Sequence, residues 1–414
     1  MENVVPMTYT SLPELVLVEI EKCRVCGHQT FQVVIDLGEQ YIANAFHAKE
    51  DPPTFKAPLK LLRCKKCGLV QLAHKIDCDL MYRNYWYKSS MNQTMRDHLE
   101  GLIDSVLAIK RVKSGDTVID SGTNDGWTLG CYKPTINRVG VDPSNIKPSN
   151  CDLFINDYFS AEALKGVPKA KIITSIAMFY DLNEPRKFVE DIDAFLDDDG
   201  IWVLELAYLR DILSANCYDG VCHEHNVYYR LGTFELLLDG LNLEVFKIEF
   251  NKINGGSFRM YISRKGAFKV DNEVLNTREW EKYLFLDSDR PYAEFAKRVN
   301  DSKEQLQKFL HEQKQAGKKV YGYGASTKGQ VVMQYCEITP DLMTAVAERN
   351  PDKYGLYTPG TNIRICSEDE MRAAKPDFLV IFPWYFLPEF KHREKNLTES
   401  GTKLVVPLPR FEVI

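Results

Sequence analysis

Hydrophobic and polar positions divide the chain into three stretches of different rhythm. Up to about residue 80 the apolar runs are short and β-like, and prolines interrupt them at 52, 53 and 58. From 81 to 268 compact apolar runs alternate with amphipathic segments. Thr117–Asp120, Arg138–Asp142, Ala170–Ser175 and Gly200–Leu206 are bounded by turn residues and read as strands. Between the last two, Phe188, Ile192, Phe195 and Leu196 recur at i, i+4, i+7 and i+8, the stripe of a helix packed on a sheet. From 269 onward a charged helical stretch, Tyr292–Gln315, precedes a second alternation through Lys319–Gly324, Thr344–Glu348, Phe378–Pro383 and Lys403–Pro409. Strands alternating with helices need crossover connections, and crossovers impose parallel pairing. The pattern predicts an α/β protein in three units: a small module over 1–80, and two α/β domains over 81–268 and 269–414.

Composition narrows the classes. A chain of 414 residues has room for two or three domains, and 44% hydrophobic with 27% charged residues is globular rather than fibrous or disordered. A net charge of −6 provides no basic field for nucleic acid or an anionic membrane. The longest apolar run, Phe378–Leu387, is broken by Pro383 and is too short to span a bilayer. The first residues include Glu2 and Pro6 and lack the basic-then-apolar build of a signal peptide. The expectation is a cytoplasmic protein whose eleven cysteines are thiols, some of them metal ligands.

Four of those cysteines form two pairs, Cys23-Arg-Val-Cys26 and Cys64-Lys-Lys-Cys67, each followed by glycine. Two residues between thiolates let one tight turn aim both sulfurs at one ion. Two such turns make a tetrahedral four-thiolate site, which suits zinc and leaves no open position for catalysis. A redox pair is the rival for one such turn, and two pairs without a thioredoxin-like context weigh against it. The zinc read here is structural.

Thr117–Asp120 runs into Ser121-Gly122-Thr123-Asn124-Asp125-Gly126 and then a helix. Two glycines four apart are a poor pyrophosphate cradle, yet they let a ligand approach the backbone. Asp120, Asn124 and Asp125 offer partners for an ammonium and a carboxylate, the polar end of S-adenosylmethionine. Asp142 closes the next strand, where an acid bonds ribose hydroxyls. That acid suits NAD equally, so the loop alone favours S-adenosylmethionine.

Cys222-His223-Glu224-His225 lies beyond the strand Gly200–Leu206, at the edge where open α/β sheets bind ligands. An imidazole there can abstract a proton next to a carbonyl, with Glu224 orienting or assisting it. The spacing is wrong for a hydrolytic H-E-x-x-H zinc site. Cys222 with both histidines is an alternative metal set, and histidines satisfied at a helix terminus are the plain structural reading.

A second glycine loop, Gly322-Tyr323-Gly324-Ala325-Ser326-Thr327-Lys328-Gly329, again joins a strand to a helix. Small residues, hydroxyls and a lysine at a helix start make an anion site apt for a nucleotide diphosphate. A plain turn is the competing reading. Asn350-Pro351 and Tyr357-Thr358-Pro359-Gly360-Thr361 supply ordered loops past the next strand, and such loops commonly line the same crevice.

Taken in order, these motifs resemble the S-adenosylmethionine-dependent sugar C-methyltransferases that act on nucleotide-linked ketosugars of antibiotic and O-antigen pathways. The resemblance covers nearly the whole chain. It includes the cysteine module, Tyr85-Trp86-Tyr87-Lys88-Ser89-Ser90, the Gly122–Gly126 loop, and His223-Glu224-His225 with Tyr228 and Tyr229 after it. Gly255-Gly256-Ser257-Phe258-Arg259, the second glycine loop, Tyr357–Thr361 and Pro407-Leu408-Pro409 complete it.

The resemblance implies two Rossmann-like domains, one for S-adenosylmethionine and one for the nucleotide sugar. It implies methyl transfer to the carbon, C3′, beside the C4′ ketone of a TDP- or GDP-linked deoxyhexose, in a monomer. His225 is then the base, with Glu224, His223, Tyr85 and Tyr87 in the catalytic set. Asp120, Gly122, Asn124, Asp125, Gly126 and Asp142 hold the cofactor; Asn254, Arg259, Tyr323, Lys328, Asn350, Tyr357 and Thr361 hold the substrate. Three departures stand out. Cys222 occupies the place of a family tyrosine, Asn254 that of a frequent histidine, and Met178-Phe179-Tyr180 a stretch where the family has another histidine. An NAD-dependent enzyme acting on the same sugars and a zinc-containing binding protein are the rival readings.

Overall fold

The computed structural model describes residues 17–414 apart from Thr54 and Asn84; residues 1–16, which include Glu2 and Pro6, lie outside the described residues. The N-terminal module is built from β1 (Leu17–Glu19), β2 (Phe31–Tyr41), β3 (Lys56–Cys64), β4 (Val70–Leu72) and β5 (His74–Ile76). β2, β3 and β4 form an antiparallel meander, and β1 pairs with β5. The cysteine turns follow β1 and β3, and each closes by the same bond, Gly27 N–H to the Cys23 carbonyl and Gly68 N–H to the Cys64 carbonyl, both 3.0 Å.

The central unit carries β6 (Thr117–Ser121), β7 (Asn137–Val141), β8 (Leu153–Ile155), β9 (Ala170–Ile176), β10 (Leu196–Ala207), β11 (Val227–Tyr228), β12 (Leu243–Asn251) and β13 (Ser257–Arg264). Seven of them form one sheet in the order β12-β13-β10-β9-β6-β7-β8, with β13 antiparallel to both neighbours and the other pairs parallel. The helix Pro185–Phe195 opens with proline at its first turn and buries Phe188 and Ile192. It stops one residue short of the expected stripe, because Leu196 leaves the helix to pair with Ala170 at the start of β10.

The third sheet contains β14 (Val320–Tyr323), β15 (Val346–Glu348), β16 (Ile365–Ser367), β17 (Phe378–Ile381), β18 (Lys403–Val406) and β19 (Glu412–Val413). Its order is β16-β15-β14-β17-β18-β19, parallel except for β19. That is the strand order of a dinucleotide-binding sheet. In both large sheets the direction of winding reverses beside the first strand, and the crevice over that reversal is where open α/β sheets take ligands.

Two crossings tie the units together. β11 leaves the central sheet and joins the edge of the N-terminal meander, with Val227 opposite Gln71 and Tyr228 opposite Val70. A single apolar core contains Leu59 and Leu61 from the module, Tyr218 and Cys222 from the centre, and Val320 and Phe382 from the third sheet. Burial of this shared core fixes the units against one another. The helix Asn272–Tyr283, past residue 269, packs its Val274 among Leu243, Val245 and Ile262 of the central unit. No helix among the described residues is long and apolar enough to cross a membrane.

Candidate active site at the junction of the three units

The four thiols of the N-terminal module converge. Cys23 and Cys67 sulfurs lie 3.6 Å apart, as do those of Cys26 and Cys64, and all four fall within 4.8 Å of one another. Two sulfurs held at the zinc–thiolate distance on a tetrahedral ion stand about 3.8 Å apart. The donor set fits zinc, and it is the only such cluster among the described residues, so Cys222 and the histidines form no second metal set. Arg24, inside the first turn, sends its guanidinium to the Leu72 carbonyl at 2.8 Å, the His74 carbonyl at 3.2 Å and Asn226 Oδ1 at 3.5 Å. The metal turn is thereby coupled to the residue that follows His225.

A cavity of about 1350 Å³ opens between the units. At one end lie the carboxyl termini of β6 and β7. Gly122 has φ +76°, and a Cβ there would stand 2.9 Å from the Met178 side chain, so only glycine leaves this strand end bare. Asp142 is buried and accepts from the backbone N–H of Asn124 at 2.8 Å and of Ser144 at 2.9 Å, one on each carboxylate oxygen. Each oxygen keeps a lone pair for a hydroxyl. Ser121 Oγ and Trp127 Nε1 are buried without partners beside it, polar groups that a bound cofactor can satisfy. Burial pushes the Asp120 carboxyl up to about 7, with Thr174 Oγ1 donating to it.

Asn124 and Asp125 are used differently from the sequence expectation. Asn124 donates to the Tyr87 carbonyl at 2.9 Å and accepts from Ser89 N–H at 3.0 Å, while Asp125 accepts from Ser90 N–H at 2.9 Å. They staple the Tyr85–Ser90 segment over the loop. Asn124 still lines the cavity; Asp125 and Gly126 lie behind it. The staple sets Tyr85 and Tyr87 in the cavity wall; Tyr85 is half-buried, and desolvation holds its phenol above its ordinary range, while Tyr87 is exposed.

The His-Glu-His segment separates into three roles. His225 lines the cavity, and its Nδ1 meets the Gly220 carbonyl at 2.8 Å. A carbonyl only accepts, so Nδ1 carries the hydrogen and Nε2 keeps its lone pair. Burial, then the nearby Lys328 ammonium, draws this imidazole down to about 4. Tyr180 packs against it with ring centroids 4.3 Å apart, in the stretch where the family histidine is missing. Glu224 also lines the cavity; both its carboxylate oxygens are buried without partners, and burial raises its pKa. His223 points the other way. Its Nε2 bonds the Ala57 carbonyl at 3.1 Å in the N-terminal module, and it does not line the cavity. Cys222 is fully buried in the apolar core, also off the cavity, and burial with Glu224 keeps its thiol protonated.

At the far end stand β14 and β15. Lys328 donates to the Asn254 carbonyl at 3.0 Å and lies 4.8 Å from the Tyr385 ring centre. Asn254, Tyr323, Lys328 and Asn350 all line the cavity. Arg259, Tyr357 and Thr361 do not. Arg259 sits in β13, pairing with Glu205 at 2.9 Å and Glu249 at 3.1 Å. Tyr357 bridges to His47, and Thr361 Oγ1 bonds Thr358 Oγ1 at 2.6 Å. Tyr357 thus docks the third unit on the N-terminal module, whereas Arg259 and Thr361 are held by partners within their own units.

Several wall residues carry no motif. Asp181 follows β9, with Oδ1 buried and unpartnered, and burial together with Glu224 lifts its pKa well above the carboxylate range. Glu348, Lys353 and Arg393 line the far end. Glu348 ends the apolar run Thr344–Glu348, a local signal to which the sequence reading attached no role; the others take their place only through folding.

Three family models match in chain order. They are described as "Putative zinc binding domain" over residues 23–82, "Methyltransferase domain" over 91–248 and "C-methyltransferase C-terminal domain" over 252–409. The C-methyltransferase NovU of Streptomyces niveus is 28% identical over 409 residues, 95% of this chain and 97% of that protein. Among solved structures, the plantazolicin methyltransferase BpumL with SAH aligns at 16% identity over 41% of this chain and 84% of its own (TM-score 0.32). The magnesium protoporphyrin IX methyltransferase ChlM of Synechocystis PCC 6803 aligns at 11% over 43% and 90% (TM-score 0.33). With a methyltransferase unit between a zinc module and a C-methyltransferase C-terminal unit, the chain belongs to the S-adenosylmethionine-dependent C-methyltransferase family.

Proposed function

We propose that the enzyme methylates C3′, next to the C4′ ketone, of a nucleotide-linked 4-keto-deoxyhexose. The observation that carries this reading is His225: an imidazole locked as the Nδ1–H tautomer, with Nε2 free in a cavity that joins the Asp142 end to the second glycine loop. Carbon is a poor nucleophile until deprotonated, and a ketone acidifies its neighbour. His225 Nε2 takes the C3′ proton, leaving an enolate whose charge rests on the C4′ oxygen. The Tyr85 phenol, kept protonated by burial, donates to that oxygen, and the Lys328 ammonium near His225 favours the same negative charge. Burial raises the pKa of both Glu224 and Asp181 beside the base, which lessens the negative charge they set against the enolate.

When bound, S-adenosylmethionine would supply the electrophilic methyl for C3′, the electron pair of its carbon–sulfur bond remaining on sulfur. Asp142 holds the cofactor ribose, and the bare backbone at Gly122 admits its polar end. Substrate and cofactor enter from opposite ends of one cavity, and this fixed approach supplies much of the acceleration. The nucleotide is placed at the second glycine loop, on the strength of its anion-binding build and the family resemblance. The test is a panel of nucleotide-linked 4-ketosugars incubated with enzyme and S-adenosylmethionine and read by mass spectrometry. A gain of one methylene in mass on the sugar supports the reading; no gain on any ketosugar in an enzyme that binds S-adenosylhomocysteine contradicts it.

A further inference from the structure

The carbonyl that fixes His225 is itself held from another unit. Gly220 ends a single helical turn, Tyr218–Gly220, and its carbonyl accepts from His225 Nδ1–H at 2.8 Å and from the Tyr228 hydroxyl at 3.2 Å. Those two donors set the direction of the carbonyl. The third unit sets the place of the turn that carries it. Asp219, next to Gly220, is buried, and its Oδ2 accepts from the indole Nε1–H of Trp384 at 3.1 Å. Tyr218 meets the Tyr335 ring edge-on with centroids 5.6 Å apart, and its hydroxyl lies 3.7 Å from the Cys336 sulfur. Tyr335 and Cys336 stand at the end of the helix Thr327–Tyr335, which starts at the second glycine loop.

Three consecutive residues after β17 make three different contacts. Pro383 closes over Gly324 of the second glycine loop, where φ is +89° and a Cβ would stand 2.5 Å from Pro383 Cγ. Tyr385 lines the cavity. Trp384, between them, does not; its indole enters the central unit beside Gly255, which has φ +91° and where a Cβ would stand 3.1 Å from Trp384 Cζ2. We propose that Trp384 and Asp219 are positioning residues for the base: the indole of the third unit holds the turn Tyr218–Gly220, and through its carbonyl His225, where Nε2 reaches the substrate carbon. The inference rests on the reading of His225 as the base and adds to it two residues outside the cavity wall.

Asp219 and Trp384 do not line the cavity, so any effect they have on the reaction passes through another group. Asp219 Oδ1 is already buried without a partner. Without the indole N–H, Oδ2 joins it, and a buried carboxyl with both oxygens unpaired is costly enough to draw the turn toward another donor. The Gly220 carbonyl moves with the turn. His225 then loses the bond that selects its Nδ1–H tautomer, and Nε2 loses its fixed approach. A displacement of about 1 Å in such a group costs on the order of 10²-fold in rate. The loss falls on kcat, because the cofactor and the nucleotide are held by other residues.

The test compares Trp384→Phe, which keeps an aromatic ring beside Gly255 and removes the donor, with Asp219→Ala and Asp219→Asn, all in the full-length, zinc-loaded protein. Nitrogen NMR of labelled histidines reads the His225 tautomer without substrate, its signal assigned by loss in His225→Ala. Wild type should show a single Nδ1–H form. Trp384→Phe and Asp219→Ala should show a mixture of tautomers while still binding S-adenosylhomocysteine. Asp219→Asn keeps an acceptor for the indole and should restore the single form. On a nucleotide-linked ketosugar that the wild type methylates, Trp384→Phe should lower kcat by about tenfold to 10²-fold with KM little changed. Added to His225→Ala, it should lower the residual rate no further, since both changes act through one group. A single Nδ1–H form in Trp384→Phe, an Asp219→Asn variant as impaired as Asp219→Ala, or losses that multiply in the double variant overturns the assignment. If the wild type methylates no ketosugar, the proposed function fails, and the tautomer measurement still decides whether Trp384 holds His225.

Discussion

His225 and Gly220 are joined by a 2.8 Å bond from the imidazole Nδ1–H to the backbone carbonyl. That bond fixes the tautomer, and burial then fixes the charge. His225 and His223 are both drawn down to about 4, so both are neutral across the physiological range. A group whose folded pKa lies below its unfolded value contributes stability above the unfolded pKa, near 6.5, and loses it as pH falls toward 4. NMR of labelled histidines should show the His223 and His225 rings, among the eight, still neutral at pH 5.5. If the ring that remains, His225 in His223→Ala and His223 in His225→Ala, titrates near 6.5 in each variant, neither is desolvated as described.

The two histidines should fail differently when removed. His225→Ala should bind both ligands and lose about 10²–10⁴ in methyl-transfer rate, the usual cost of a general base. His223→Ala removes a bond to Ala57, so it should lower thermal stability and leave the rate within a few-fold. Single-turnover kinetics beside a melting curve separate these outcomes; a dead but stable His223→Ala would exchange the assignments.

Asp142→Ala should weaken S-adenosylmethionine binding by tenfold or more, since a charge-assisted hydrogen bond is worth about 1.5–3 kcal/mol. The same change strands the Asn124 and Ser144 N–H groups, so some loss of stability should accompany it. Calorimetry on the folded variant measures the affinity, and an unchanged value removes Asp142 from the cofactor site.

Zinc loss should reach the chemistry through the fold. β11 begins two residues after His225 and pairs with β4 of the cysteine module, while Arg24 reaches Asn226. Changing Cys64 and Cys67 together to serine should abolish the single zinc per chain, lower the melting temperature and depress kcat more than S-adenosylmethionine affinity. Metal analysis with kinetics decides it: retained zinc, or full activity without zinc, contradicts the coupling.

What could be read from the sequence was local, and what could not was set by contacts between units. The doubled cysteine turns, the Gly122 loop and Asp142 are each encoded within a few residues, and folding brings them to the places expected of them. The His-Glu-His segment was visible as a unit, but it folds as a tight turn closed by His225 N–H to the Cys222 carbonyl at 3.1 Å, and the turn sends His223 toward Ala57 and His225 toward the cavity. Asn124 and Asp125 looked like ligands because their acceptors are free in the sequence; the Tyr87–Ser90 backbone, some 35 positions earlier, claims them. Tyr357 bridges two units, and Arg259 and Thr361 are held by partners inside their own, and a motif alone does not distinguish such structural contacts from binding. Tyr180 against His225, and Lys353 against the Ala325 carbonyl, are long-range packing with no local signal.

The central claim is that His225 removes the hydrogen beside the ketone before carbon attacks, and that step can be watched without methyl transfer. The nucleotide-linked ketosugar is incubated in heavy water with enzyme and S-adenosylhomocysteine, which has no methyl to give, and deuterium at C3′ is followed by NMR. Wild type should exchange the C3′ hydrogen well above the enzyme-free rate, and His225→Ala should fall to that background while still binding the sugar. Exchange by His225→Ala at the wild-type rate would contradict the account.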